Sequence, residues 1–189
     1  NNTVYRGAKY STFGVSGDFP QIMDIEGFTI DKGRFINKFD LDSHRKVAVV
    51  GRRVIELLFA PEEDPIGQSI KISGVVFKVV GVFRTELDGD AADRAEGQVD
   101  LPFTTVNRAF NYGNCVSWLA ITSQDNIPVS IVEEQALKIL RARHQVHPDD
   151  QRAFGHWNKE KEFQRIQNVF VGIRFISWVV GILTLLAGA

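Results

Sequence analysis

His144, His147, Asp149, Asp150 and His156 form the clearest cluster of metal-ligating residue types in this chain. A zinc or copper ion would need three or four of them to converge in tetrahedral or similar geometry. The order His-x-x-His-x-Asp-Asp crosses Pro148, and a turn there does not align ligands on one helical face. The simpler reading makes His144 a cation at a helix C-terminus and Asp149 or Asp150 a turn residue. Asp88-Gly89-Asp90-Ala91-Ala92-Asp93 has the look of a calcium loop. An EF-hand loop beginning at Asp88 would need Gly where Asp93 stands and a bidentate Glu where Val99 stands. With Arg84 and Arg94 beside it, this segment reads as a solvated charged loop. For nucleophilic chemistry there is no Gly-x-Ser-x-Gly elbow, and Gly14-Val15-Ser16-Gly17 reads as a turn. The phosphate-cradling Gly-x-x-x-x-Gly-Lys-Ser/Thr pattern is absent, and Gly51-Arg52-Arg53 lacks its spacing, so this polypeptide carries no P-loop ATPase. Cys115, the single cysteine, excludes an intrachain disulfide and, beside Val116 and Trp118, reads as a small buried residue. Trp118, Trp157 and Trp178 are dispersed, with no basic–aromatic face for nucleic acid. No catalytic, cofactor-binding or metal-binding residue is assigned.

The elements that would position these residues are those of a globular protein. The 189 residues are 44% hydrophobic and 24% charged with a net charge of −1, enough for one ordinary domain or two small ones. That balance gives no electrostatic reason to bind nucleic acid. The first residues show no basic start, apolar core or cleavage site of a signal peptide. At the other end, Phe175 to Ala189 is an uncharged apolar run with Arg174 and Trp178 at its start, where a snorkelling cation and an interfacial aromatic belong. A soluble amphipathic helix would keep a polar face; this run offers only Ser177 and Thr184, and it is expected to be a truncated membrane span.

Between the ends, Val4 and Tyr5 begin a strand, and Gly14 to Pro20 is turn-rich. A helical turn is expected over Pro20 to Asp24, and Asp31-Lys32-Gly33 reads as a turn delivering Arg34-Phe35. Lys46 to Val50 reads as a strand buried on both faces. Arg52 to Phe59 follows as a short helix with Val54, Leu57 and Leu58 on one face, ended by Pro61. After the Asp64-Pro65-Ile66-Gly67 turn, Ser69–Ile72 and Val75–Phe83 are predicted to pair as a hairpin. Arg84 to Gln98 shows no apolar period and reads as a mobile loop. Val99, Leu101 and Phe103 alternate as a strand closed by Pro102 at a sheet edge, and Thr104-Thr105 cap a helix through Phe110. Val116 to Thr122 reads as a strand. A helix capped by Asp125 or Asn126 runs from Pro128 to about His144, and Phe154 to Trp157 is a last short strand. Lys159 to Ile173 is a charge-bearing helix continuous with the apolar terminus. The layout is α+β: a middle lobe over 16–111 with a small mixed sheet, inserted into a smaller lobe made of 1–15 and 113–158, followed by a helix over 159–189.

The order of short motifs resembles the extracytoplasmic core domain of MacB-type ABC transporter permeases, which include FtsX-like and lipoprotein-releasing permeases. Val15-Ser16-Gly17-Asp18-Phe19 is similar to the family's Gly-Val-Ser-x-Asp-Tyr/Phe opening. Gly33-Arg34-Phe35 with Asp40 resembles its Gly-Arg-x-Phe…Asp segment. Val47 to Gly51, Leu58-Phe59, Pro65-Ile66-Gly67-Gln68 and Phe77 to Val82, with Gly81, match the strand, helix and hairpin that follow. Asp100-Leu101-Pro102-Phe103-Thr104-Thr105 and then Arg143-His144, Asp150 and the rise into the apolar helix complete the order. Gly33, Arg34, Phe35, Gly51, Phe59, Pro65, Gly67 and Gly81 are therefore expected to be architectural, and Arg174 and Trp178 to mark the membrane interface.

The resemblance implies a porter-like βαβ lobe around the inserted one, and a domain lying between the first two membrane helices of an inner-membrane permease, facing the periplasm. It further implies a partner ABC ATPase, fused or separate, homo- or heterodimeric permeases, and mechanical coupling of cytoplasmic ATP hydrolysis to export. A periplasmic adaptor and a lipoprotein, peptide or drug cargo are the other partners it implies. Two other classes remain open from the residues: a membrane-tethered binding or scaffold domain without an ATPase, and a secreted hydrolase, which the lack of a nucleophile–base set disfavours.

Overall fold

The computed structural model describes residues 2–113, 115–124, 126–147, 150 and 152–187. They fall into two compact units, 1–120 and 121–189. The first unit is a mixed sheet with short helices on it. Its strands are β1 (Asn2–Arg6), β2 (Lys9–Asp18), β3 (Thr29–Gly33), β4 (Val47–Gly51), β5 (Ser69–Ile72), β6 (Val75–Arg84) and β7 (Gln98–Pro102). Their order is β3-β6-β4-β7-β2-β1-β5, and β5 also pairs with β6. Six strands therefore close into a ring, with β3 appended to β6. Closure removes sheet edges from the ring.

Alternation along β4 explains the two cores. Ala48 and Val50 face the ring interior with Val4, Ile70, Ile72, Phe77, Val79, Val99 and Leu101. Val49 points the other way, into a second cluster with Ile22, Phe35, Ile36, Leu41 and Phe83. All five residues of β4 are buried, as the uninterrupted apolar run predicts. The β5–β6 hairpin forms in the expected register, Ile70 facing Phe77. Ser73 and Gly74 turn it with φ of 47° and 86°, the two positive values of a type I′ turn.

Several expectations are corrected. Gly14 to Asp18 is not a turn but the second half of β2, parallel to β7. A Cβ at Gly17 would press on Val106 and one at Gly14 on the Gln98 side chain, so these glycines serve close packing. The expected boundary at residue 15 falls inside this unbroken strand. Asp31 to Gly33 is strand as well, its chain bulged against β6. The charged stretch after Arg84 holds α4 (Gly89–Glu96), which buries no residue and so leaves no apolar period to read. β7 is interior, between β4 and β2; Pro102 is tolerated because it is the last strand residue and opens the following helix, α5 (Phe103–Phe110). Thr104 and Thr105 are not its caps: their hydroxyls donate to the carbonyls of Leu41, at 2.6 Å, and Arg45, at 3.0 Å. They tie α5 to α2 (Lys38–Asp42) and the turn after it. Helix α3 (Arg52–Leu58) buries Val54 and Leu58, an i,i+4 pair, while Leu57 stays exposed. It ends at Leu58, before Pro61, because Phe59 is already extended. The remaining helix of this unit, α1 (Ile22–Glu26), starts two residues after Pro20.

The second unit is helical: α6 (Val129–Arg143) and α7 (Lys159–Ala187). The strands expected over 116–122 and 154–157 do not form, since no described strand lies beside either to complete a ladder. Cys115 is exposed, not buried. Pro128 is the N-cap position of α6 and Asn126 sits in a turn at φ 68°, while Asp125 lies outside the described residues. The two helices lock through side chains. Asn158 caps α7 by accepting from the Lys161 N–H (3.2 Å), and its amide donates to Glu133 (2.7 Å). Glu160 in turn accepts from the Val129 N–H that opens α6 (2.8 Å). The Asn158 hydrogen bond, outweighing desolvation and helped by Lys161 and His156, lowers the Glu133 carboxyl below its usual range. α7 runs unbroken for 29 residues, about 44 Å at 1.5 Å per residue. Over Lys159–Thr184 it is long and apolar enough to cross a membrane, at a mean hydropathy of 1.7 with its apolar window wholly exposed.

Candidate functional site: one satisfied aspartate and one unsatisfied pair

The Gly33-Arg34-Phe35…Asp40 segment folds into a carboxylate clamp. Gly33, at φ 74°, faces Gly81 across β3 and β6. A Cβ on Gly33 would strike the Val80 carbonyl, and one on Gly81 the Arg34 carbonyl. The chain therefore crosses β6 at backbone contact, with the Arg34 N–H donating to Val80 O (3.0 Å). That crossing aims the Arg34 guanidinium at Asp40, which it grips with both Nη atoms at 2.6 and 3.0 Å. Asp40 is fully buried, yet each oxygen has donors: the Asn37 N–H (3.1 Å) and Arg45 (3.3 Å) join Arg34. Asn37 and Asp40 make the reciprocal capping box of α2. Burial by itself raises the Asp40 carboxyl, but the Arg34 bond, the Asn37 N–H and the two arginine charges outweigh it and hold it below the usual range.

The other singled-out residues have local tasks. A Cβ on Gly51 would overlap the Glu96 carbonyl, so Gly51 lets the end of α4 lie on β4. Phe59 is buried beneath the Arg6 guanidinium, 4.2 Å from its ring centre. Pro65 is buried and its carbonyl accepts from Gln68; Gly67, at φ 85°, donates to Val79 O (2.8 Å) and sets the strand's entry. Arg174 and Trp178 lie one turn apart on α7 and are exposed. Of the histidine cluster, His144 stacks edge-on with Phe154 and His156 sits 3.5 Å from Glu133; Asp149 lies outside the described residues. Among the described residues no group of three or more ligands converges on a metal position.

A second acidic place was not anticipated. Asp18 on β2 and Asp100 on β7 reach each other across the parallel pairing that sets Ser16 opposite Asp100. Both are buried, Asp100 to 2% exposure, and no described donor reaches its Oδ2. Two carboxyls hydrogen-bond only if one keeps a proton, and the Asp18–Asp100 contact is a bond of that kind. Burial, then the Asp18 charge and Glu26, push the Asp100 carboxyl well above the usual range. Burial also raises Asp18, which Ser16 only partly offsets. The pair lines a cleft of about 170 Å³ with Ser16, Glu26, Phe28, Gln98 and Trp118. The signal for Asp100 was its place between Val99 and Leu101, both turned into the ring. An interior strand buries the opposite face too; the edge assignment hid this.

Comparison with known proteins decides the family. The profile of the MacB-like periplasmic core domain matches residues 1–139. The chain belongs to that family. Among its relatives, the pyoverdine export ATP-binding/permease protein PvdT of Pseudomonas putida is 30% identical over 143 residues, 75% of this chain and 22% of PvdT. The macrolide export ATP-binding/permease protein MacB of Pectobacterium atrosepticum is 27% identical over 130 residues, 69% of this chain and 20% of that protein. The chain thus spans about a fifth of the length of these curated relatives. The same fold is seen in the periplasmic region of MacB from Actinobacillus actinomycetemcomitans, at a TM-score of 0.72 and 21% identity over 88% of this chain and 72% of that one. The extracellular domain of the transporter YknZ from Gram-positive bacteria follows at 0.66 and 18%, covering 77% and 72%. The matched stretch covers the sheet-bearing unit and runs into α6.

Proposed function

We propose that this chain is the extracytoplasmic part of an inner-membrane ABC export permease, facing the periplasm, non-catalytic itself and driven by an ATPase domain or subunit. Residues 113–158 belong to a porter-like lobe, and dimeric permeases carry the domain in pairs. The observation that carries this reading is α7. Its first turns are charged and latched to α6, its remainder is apolar and unburied, and no proline or glycine pair interrupts the junction. Such a helix transmits displacement from membrane to lobe as a rigid element. Arg174 and Trp178 mark its interface with the headgroups. The names of the relatives, which combine ATP binding with permease, support the ATPase partner. Periplasmic adaptors and a lipoprotein, peptide or drug cargo are consistent with the family.

The test is to insert two glycines after Gln167 in the full-length permease. ATP hydrolysis is expected to continue while export falls at least tenfold, with thermal unfolding of the 1–120 unit unchanged. Full export by that variant would refute the rod.

A further inference from the structure

We infer that His156 makes the latch between α6 and α7 sensitive to protons, so that it closes more firmly in acid than in base. The histidine stands two residues before Asn158, the cap of α7, and its ring lies between two acceptors. Nδ1 is 3.3 Å from the Phe154 carbonyl oxygen, and Nε2 is 3.5 Å from Glu133 Oε1. A carbonyl only accepts, so Nδ1 carries the hydrogen of that bond. A neutral imidazole then turns the lone pair of Nε2 toward a carboxylate. The imidazolium has a hydrogen on both nitrogens and serves both acceptors at once. Glu133 Oε1 is closed to solvent, and no described hydrogen bond reaches it. A buried acceptor of that kind gains when a donor arrives beside it.

The other charges of the latch hold steady where an imidazole changes its own. The Asn158 amide and the Lys161 ammonium donate to Glu133 Oε2 at 2.7 and 3.1 Å. They keep the carboxyl below its usual range, so it stays ionised while the histidine titrates. Lys161, from α7, opposes a second cation, but it is 58% exposed and bound to the other oxygen. Glu160 of α7 is engaged with the Val129 N–H, and Lys159 lies over the Trp157 ring. His144, at the end of α6, meets the Phe154 ring edge-on and not the carboxylate. This inference concerns how α7 is fastened and does not depend on the export role proposed for the chain.

Firm closure takes one proton from solvent, which Nε2 holds and shares with Oε1 as a hydrogen bond. No other bond forms or breaks. With the latch open, Nε2 faces water instead of a carboxylate and the attraction is gone. Protonation therefore favours the closed latch, and the closed latch favours protonation. The contribution is present at low pH and lost as pH rises. Its size is that of a partly exposed pair, and two tethers remain in base: Asn158 to Glu133 and Glu160 to Val129. The latch slackens there without falling apart.

The experiment is hydrogen exchange read by mass spectrometry on the full-length protein in detergent, at about pH 5.5 and about pH 8, corrected for the intrinsic pH dependence of exchange. The reporting amides are Val129 and Lys161, whose N–H groups the latch holds. Each should be about threefold better protected at the lower pH, the scale of a partly exposed ion pair. His156→Gln should remove that difference. His156→Arg, charged at both pH values, should keep both amides at the protection seen in acid. His144→Gln should leave the difference intact. If His156→Gln does not fold, Glu133→Gln is to show the same loss of pH dependence, since it keeps an acceptor for Asn158 and gives up the charge. Equal protection of the wild type at the two pH values overturns the inference. So does a difference that survives in a folded His156→Gln, or one that His144→Gln abolishes.

Discussion

Asp40 and Asp100 are equally hidden from water and opposite in every other respect. Asp40 is 0% exposed and meets two arginines and a backbone N–H. Asp100 is 2% exposed and meets another carboxyl. Burial opposes the charge at both; the neighbours decide which way each goes. Asp40 is held toward its charged form and anchors the chain, while Asp100 is pushed toward its protonated form against Asp18. A buried acid with all its hydrogen bonds made is structure. One that faces another carboxyl has only a proton to share with it.

The comparison breaks most visibly at Asp40. Asp40→Ala removes the acceptor for Arg34, Arg45 and the capping box at once. Losing one partner of a fully buried pair costs about 3–5 kcal/mol. Arg34 and Arg45, 39% and 46% exposed, can rehydrate, so about 2–3 kcal/mol is expected. The urea midpoint should fall at unchanged m-value. The wild-type contribution of Asp40 is fully present above the ordinary carboxylate value of 3.8 and is lost as pH falls through its lower folded value. The variant should therefore lose less stability on acidification than the wild type.

Next comes the crossing that aims Arg34. Gly81→Ala would drive a Cβ into the Arg34 carbonyl, which is backbone and cannot swing aside. About 2 kcal/mol of destabilisation is expected. Gly67→Ala is the measure of backbone strain without collision: φ is 85° and the nearest atom is the end of Lys78 at 3.7 Å. It should cost about 1 kcal/mol. Equal losses in thermal denaturation would mean that the contact of β3 with β6 is not what positions the arginine.

Much of the clamp and little of the cleft was legible in the sequence. The residues of the clamp lie within one segment, and glycine, arginine and aspartate at those spacings carry their own constraints. β4, the β5–β6 hairpin and α7 were legible because apolar run, alternation and turn chemistry agree locally. Asp18 and Asp100 meet only through the parallel pairing of β2 with β7, a non-local contact with no periodic trace. The same blindness made Gly14–Gly17 look like a turn, when Val106 and Gln98 are what forbid side chains there. α4 escaped notice because a helix with no buried residue has no stripe. The segments at 116–122 and 154–157 have strand composition without a described neighbour to pair with, and composition cannot supply the other half of a ladder.

The smallest effect is the one that sharpens the contrast. Asp100→Asn keeps the shape and gives Asp18 an amide donor, so the pair is satisfied without a shared proton. In the wild type the folded Asp100 carboxyl lies above its unfolded value. Its contribution is thus fully present below about 3.8 and is lost as pH rises through the folded value. The variant lacks that loss. It should match the wild type near pH 4 and exceed it at pH 8, by about 1 kcal/mol, the scale of one buried acceptor relieved. Denaturant melts at the two pH values read this directly. A variant less stable than wild type at pH 8 would mean that Oδ2 is already satisfied in the free protein, and that Asp100, like Asp40, is there to hold the chain.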